Sequence, residues 1–249
     1  MNLVWTGFLA SLGAGLLTGV GALGVYFVSR LSPRLEDGLL SFAAGIMLAA
    51  SFFSLILPAI AYGEAQVGDR PVAVLIVIVG ILCGALVLSV LHRLLPHEHF
   101  FAGHEGPESA ALGRIWLFVI AITMHNFPEG MAVGVGFSGG DIAKGLSLAT
   151  GIGIQNIPEG LAVSLSLMAV GYSRAKAVGY GFLTGLAEPL GGLFGAIAGS
   201  LAGPLMPWTL AFAAGAMLFV ISDEIIPETH RRGYETQATF SLLAGFVFR

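Results

Sequence analysis

The chain has 249 residues, of which 56% are hydrophobic and 10% charged, with 36 glycines and a formal net charge of −4. Soluble domains carry about a quarter charged residues, so this composition excludes an ordinary soluble domain and reads as a polytopic membrane protein. Nothing in it calls for a nucleic-acid partner. Cys83 is the one cysteine, so no intrachain disulfide forms, and within its apolar run it reads as a small apolar residue.

Apolar stretches of the ~17–25 residues that a crossing helix needs run at Val4–Val28, Leu39–Tyr62, Pro71–Leu95, Arg114–Phe137, Ala143–Val170, Ala175–Ala202 and Leu205–Ile226. An eighth, Thr236–Phe248, reaches only ~20 Å at the helical rise, so a short last span is expected, ending early or continuing in a longer chain. The first stretch lacks a basic leader and is too long for a secretory signal core, so no cleaved signal is expected. The expected fold is all-α, with eight transmembrane helices in one membrane domain over residues 1–249 and no soluble appendage.

The odd-numbered connections hold Arg30, Arg34, Arg93, Arg114, Arg174, Lys176, Arg231 and Arg232, whereas the even-numbered ones hold Arg70 and Lys144. That asymmetry predicts cytoplasmic odd connections and an outward N-terminus. The C-terminus is also outside if the eighth stretch crosses. Trp5, Trp116 and Trp208 fall near segment ends, as interfacial aromatics do.

The longest connection, roughly residues 96–113, gathers His97, Glu98, His99, His104 and Glu105. These form either a metal-attracting cluster or simply a solvated loop. Beyond it comes an internal repeat. His125-Asn126-Phe127-Pro128-Glu129-Gly130 and Gln155-Asn156-Ile157-Pro158-Glu159-Gly160 lie in consecutive apolar segments. A carboxylate at membrane depth is costly and faces a protein interior or a watery path. Each proline is expected to break its helix, freeing the carbonyl of Met124 or Ile154.

Ser138-Gly139-Gly140-Asp141 is a turn signal, which makes the two segments an antiparallel hairpin. His125 and Gln155 each lie fifteen residues from Gly140, about 22 Å by helical rise, so the phrases meet at similar depth. His125 and Glu129 are i, i+4 neighbours on one face, as are Gln155 and Glu159. The next segment carries Glu188-Pro189 among small residues, including Gly181, Gly185, Gly191, Gly192 and Gly195. It is expected to cross as one helix that packs closely on the hairpin, bringing Glu188 to the same centre.

No Lys or Arg lies in the middle of any segment. Glu129, Glu159 and Glu188 must therefore be protonated or neutralised by a bound cation. Imidazole with carboxylates suits zinc, iron or manganese, whereas oxygens alone suit magnesium or calcium. His125 by itself is equally a satisfied core histidine, but beside these groups it becomes a ligand. Asn126 and Asn156 either coordinate through their amide oxygens or cap backbone groups near the prolines. Met47 reads as packing before thioether ligand. Asp223, Glu224 and Glu228 form either an exit relay or an interfacial group beside Arg231 and Arg232, and His230 says nothing on its own.

Two Pro-Glu-Gly phrases on consecutive helices, in this order and spacing and followed by Glu188-Pro189, resemble the ZIP family (zinc- and iron-regulated transporter-like proteins), closest to its bacterial GufA-like branch. The resemblance covers helices 1 to 7 and part of 8. It implies a first metal site of His125, Glu129, Gln155 and Glu159, with Met47 adding sulfur. An adjacent second site would use Asn126, Glu129, Asn156, Glu159 and Glu188, the glutamates bridging. Gln155 stands where many relatives have His and Asn156 where close bacterial relatives have Asp, which lowers the charge of the second site. His97-Glu98-His99, with His104 nearby, and the stretch Asp223, Glu224, Glu228 and His230 correspond to features associated with metal release.

The resemblance also implies an elevator-type homodimer in a bacterial inner membrane. Its transport bundle would comprise residues 4–28, 114–137, 143–170 and 175–202, and its scaffold residues 39–62, 71–95, 205–226 and 236–248. The expected function is secondary transport of a divalent transition metal into the cytoplasm, zinc first, with cadmium, iron or manganese as further substrates. The metal is cargo, and no catalytic cofactor is expected. The competing reading is an intramembrane zinc-dependent hydrolase. Against it, the chain lacks His-Glu-x-x-His, and prolines sit in the helices such a motif would need. A metal-sensing receptor is disfavoured because no output domain is present.

Overall fold

At membrane depth no water satisfies the backbone, so an apolar chain of this kind closes its hydrogen bonds within helices. A computed structural model describes residues 2–94, 97–99, 103–105, 114–169, 171–201 and 203–248. Its helices are α1 (Leu3–Leu23), α2 (Pro33–Ala49), α3 (Leu57–Val67), α4 (Arg70–Leu94), α5 (Arg114–Ser138), α6 (Ile142–Ala169), α7 (Arg174–Gly185), α8 (Ala187–Leu201), α9 (Met206–Val220), α10 (Ile226–Thr229) and α11 (Glu235–Phe248). Among the described residues, five helical stretches are long and apolar enough to cross a membrane: Leu3–Tyr26, Pro33–Val67, Arg70–Leu94, Arg174–Ser200 and Met206–Thr229. α5 and α6, of 25 and 28 residues, reach the same length but carry the polar phrases. The segment ends Leu95, Val170 and Ala202, and the side chain of Trp116, lie outside the described residues.

Local chemistry sets the ends. Asn2 Oδ1 accepts from the Val4 N–H at 3.0 Å, and Ser32 Oγ from the Leu35 N–H at 3.3 Å with Pro33 at the first helical position. The second span therefore starts six residues before its apolar stretch. Gly140 closes the α5–α6 turn with φ +80°, a conformation that a side chain would strain. Asp141 Oδ1 then accepts from the Lys144 N–H at 3.1 Å. The Lys144 amide and ammonium hold that exposed carboxyl below the usual carboxylate range.

The prolines behave differently from expectation. α5 and α6 run through Pro128 and Pro158 without ending. The sixth span breaks instead, between Gly185 and Ala187, just ahead of Glu188-Pro189. Pro189 frees the Gly185 carbonyl, which packs against α1, 2.2 Å from where a Cβ on Gly15 would sit. Two π-helical segments, Ala50–Ile56 and Ile221–Ile225, were not anticipated. Each ends two residues before a proline, Pro58 or Pro227, and widening the helix relieves the clash between the ring and the carbonyl four residues back. The longest connection contains a short antiparallel ribbon of β1 (His97–His99) and β2 (Gly103–Glu105), with Glu98 opposite His104. The side chains of His97, Glu98, His99, His104 and Glu105 lie outside the described residues.

Packing divides the helices into two groups. α1 lies against α5, α6, α7 and α8, and α5 runs along α8, while α4 lies along α9 and α2 along α11. Backbones touch within each group. An ideal Cβ on Gly134 would fall 2.0 Å from the Gly192 carbonyl oxygen, and one on Gly84 2.1 Å from that of Phe212. In lipid, where apolar burial gives helices little reason to associate, such close approach supplies the attraction. Gly134→Ala and Gly84→Ala should therefore each destabilise the protein by about 1–3 kcal/mol, as overpacking does, and lower its thermal midpoint in detergent. Gly13→Ala, which meets nothing within 4 Å, should leave the midpoint unchanged. Equal midpoints for all three variants would refute the close-packing account.

Candidate metal centre

The two polar phrases and Glu188 converge where α5, α6 and α8 meet α1. Asn126, Gln155, Asn156 and Glu188 are fully buried, and Glu129 is 1% exposed. Gln155 Nε2 donates to Glu129 Oε1 at 2.7 Å. Asn156 Nδ2 donates to Glu188 Oε1 at 2.6 Å and to the Ala14 carbonyl at 2.9 Å. Both amides thus turn their N–H groups onto oxygens and leave their carbonyl oxygens unpaired. The neighbour sought by Asn156 is the α1 backbone rather than the carbonyl freed by Pro158, and the Asn126 side chain has no hydrogen-bond partner among the described residues.

Six buried side-chain oxygens here have no protein hydrogen-bond partner: Asn126 Oδ1, Glu129 Oε2, Gln155 Oε1, Asn156 Oδ1, Glu159 Oε1 and Glu188 Oε2. Each buried acceptor left unsatisfied costs about 1–3 kcal/mol. Three belong to carboxylates, with no cationic Lys or Arg paired to them among the described residues. Such an acceptor-rich set matches a cation.

A cavity of about 50 Å³ adjoins this cluster, lined by Leu40, Ala43, Met47, His125, Glu129, Glu159, Val220, Glu224, Ile225 and Glu228. A single water needs only ~10–15 Å³. Met47, 1% exposed, forms part of the wall from α2. Toward the end of the molecule that carries Arg93, Arg231 and Arg232, a second constellation appears. His92 Nε2 lies 2.8 Å from Glu224 Oε1, and His125 Nε2 contacts Glu224 Oε2. Ligand atoms of these three residues lie within 4.8 Å of one another. Two imidazoles and a carboxylate are a donor set suited to zinc. The π segment Ile221–Ile225 carries Glu224, and π turns often occur at functional sites.

His92 was missed by sequence reasoning. It is 1% exposed and meets Phe219 edge-on, with ring centroids 5.1 Å apart. An ionisable residue near the end of an apolar run was the available signal, masked by the adjoining Arg93. The other relay residues diverge. Asp223 reaches only 3.7 Å from His92 Nδ1 and is exposed. Glu228 lines the cavity and also pairs with Arg231. His230 sits among neighbours that tie α10 to α11: its Nδ1 lies 3.0 Å from the Ile226 carbonyl and its Nε2 3.1 Å from Thr239 Oγ1. It does not line the cavity.

A family model described as ZIP Zinc transporter matches residues 97–248. The zinc transporter GufA of Myxococcus xanthus is 50% identical over 241 residues, covering 97% of this chain and 95% of that protein. The zinc transporter ZIPB of Bordetella bronchiseptica is 48% identical over 230 residues, covering 92% and 74%. Zinc transporter ZIP11 of Homo sapiens is 36% identical, covering 93% and 91%.

Zinc added to the purified protein should raise its thermal midpoint, by about 2.7 kcal/mol of stabilisation when zinc is a hundredfold above its dissociation constant. Glu129→Gln should remove most of that gain. A full zinc-induced shift in this variant would rule out the centre as described.

Proposed function

The chain belongs to the ZIP zinc transporter family, whose relatives support membrane metal transport, and we propose that it carries a divalent transition metal, zinc first, into the cytoplasm of a bacterial cell. Cadmium, iron and manganese are further candidate substrates, since affinity order alone selects poorly among them. The observation that carries this reading is the set of six unpaired buried oxygens beside two imidazoles. Such a set accepts positive charge, with no Lys or Arg paired to its carboxylates among the described residues.

In this reading the ion sheds most of its water at the centre. Glu129, Gln155 and Glu159 supply oxygens, and His125 a nitrogen. Asn126, Asn156 and Glu188 form the adjoining oxygen-rich half, with Met47 at the wall. Glu224 holds a Nε2 of each imidazole near its two oxygens, so His125, Glu224 and His92 offer a next station, with Glu228 beyond it in the cavity wall. The stations run toward the basic end, which the positive-inside asymmetry assigns to the cytoplasm. His97, His99 and His104 remain candidates to receive the ion there.

Alternating access would come from α1 and α5–α8 moving against α2–α4 and α9–α11 in a homodimer. The close packing within each group and the position of the cavity between α2, α5 and α6 support such a movement. His125 and Glu224 then face one another across the sliding boundary.

Metal uptake into proteoliposomes checks this function. Glu129→Ala and Glu159→Ala should each abolish most uptake, and wild-type rates with both variants would end the proposal. Coordination requires neutral imidazole and ionised carboxylates, so acidification should weaken binding as these ligands protonate. Apparent affinity for zinc should fall as the pH drops through the mildly acidic range. An affinity independent of pH would argue against these ligands.

A further inference from the structure

Away from the metal centre, a cavity of about 620 Å³ opens at the basic end, between the segment after α1, the start of α2 and the end of α6. Its wall includes Ser29, Arg30, Glu36, Leu165, Ser166 and Met168. The charges are unequal in their commitments. Glu36 already accepts from Arg232 Nη1 at 2.8 Å, and the same guanidinium nitrogen lies 3.4 Å from Asp37. Arg30 is exposed and pairs with no carboxylate among the described residues. Among the described residues the cavity thus offers one guanidinium with no carboxylate partner and two hydroxyls, while its carboxylate is neutralised from behind. That is a donor set for an anion, and guanidinium is well shaped for phosphate oxygens.

A second observation says what kind of anion. Tyr26 and Phe27, immediately before this segment, are 52% and 91% exposed. Aromatic side chains so placed at the end of a membrane-crossing helix belong at the headgroup level. Leu165 and Met168 continue the apolar surface on the α6 side. A ligand filling this site therefore has a phosphate at the cavity mouth and a hydrocarbon tail alongside the aromatics.

We propose that this cavity binds the headgroup of an anionic phospholipid, with Arg30 and the hydroxyls of Ser29 and Ser166 holding the phosphate. Basic pockets between membrane helices are suited to such headgroups. The lipid would bridge α6 and α2, which belong to different packed groups, and so hold them in the arrangement described above. Binding itself does not depend on the transport reading and can be measured without it.

Native mass spectrometry of the purified full chain, supplied with phosphatidylglycerol or phosphatidylcholine, reads the site directly. Wild type should retain phosphatidylglycerol in preference to phosphatidylcholine. Arg30→Gln should weaken that retention about fivefold, corresponding to the ~1 kcal/mol that one arginine contributes near an anionic surface. Arg174→Gln, an exposed basic residue at the same end but outside the cavity, should leave it unchanged, and excess inorganic phosphate should not displace the lipid. Three outcomes would each overturn the proposal: equal losses in the two variants, no preference for the anionic lipid, or displacement by inorganic phosphate alone.

Discussion

Carboxylates buried without a Lys or Arg partner among the described residues govern this molecule. Glu129 and Glu188 are sealed at the meeting of α1, α5, α6 and α8, and the amide donors that approach them leave further acceptors exposed to the same small space. Placing a lysine there would solve the electrostatics permanently and end any exchange with an ion. Under the proposed transport reading, leaving the acceptors unmatched keeps the centre dependent on an ion that arrives and departs. The cost of that choice, several unsatisfied acceptors at about 1–3 kcal/mol each, must be borne by the rest of the fold. Backbone-to-backbone contacts through glycine are where compensation is visible, because they bring whole helices to van der Waals distance.

The tandem phrases were legible because a buried acid and a proline are both conspicuous in an apolar run. Equal spacing from Gly140 was enough to place them at one depth. What pattern could not convey was hydrogen-bond register. The π segments at Ala50–Ile56 and Ile221–Ile225 have the same apolar character as ordinary helix, and only the prolines that follow them hint at the change. Nor does pattern reveal which polar groups near a helix end turn inward. His92 sits beside Arg93 and looks interfacial, yet it is buried against Glu224, whereas His230, uninformative as a sequence position, lies within hydrogen-bonding distance of Ile226 on α10 and Thr239 on α11.

Prolines drew the opposite responses in different helices. Pro128 and Pro158 are absorbed by continuous helices, but the chain breaks before Pro189. Gly185 stands at that break and lets the freed carbonyl meet α1 at close range. The break places Glu188 in the first turn of α8, so its carboxylate comes from a helix beginning at the centre rather than from the middle of a long one. An acid in such a position gains from the positive end of the helix dipole, a stabilisation that Glu129 and Glu159, deep within their helices, do not share.

The widened turn at Ile221–Ile225 also gives the chain a form of molecular gearing. A π turn is in effect one surplus residue spliced into an α-helix. Excising a single residue there would restore the ordinary winding and leave the downstream helix nearly in phase, so the change would fall on the widened turn itself. Glu228 and Pro227 would keep their places, but the turn that now aims Glu224 at two imidazoles would be lost. Length at this point is thus as constrained as chemistry, and an indel here should be less forgiving than many conservative exchanges.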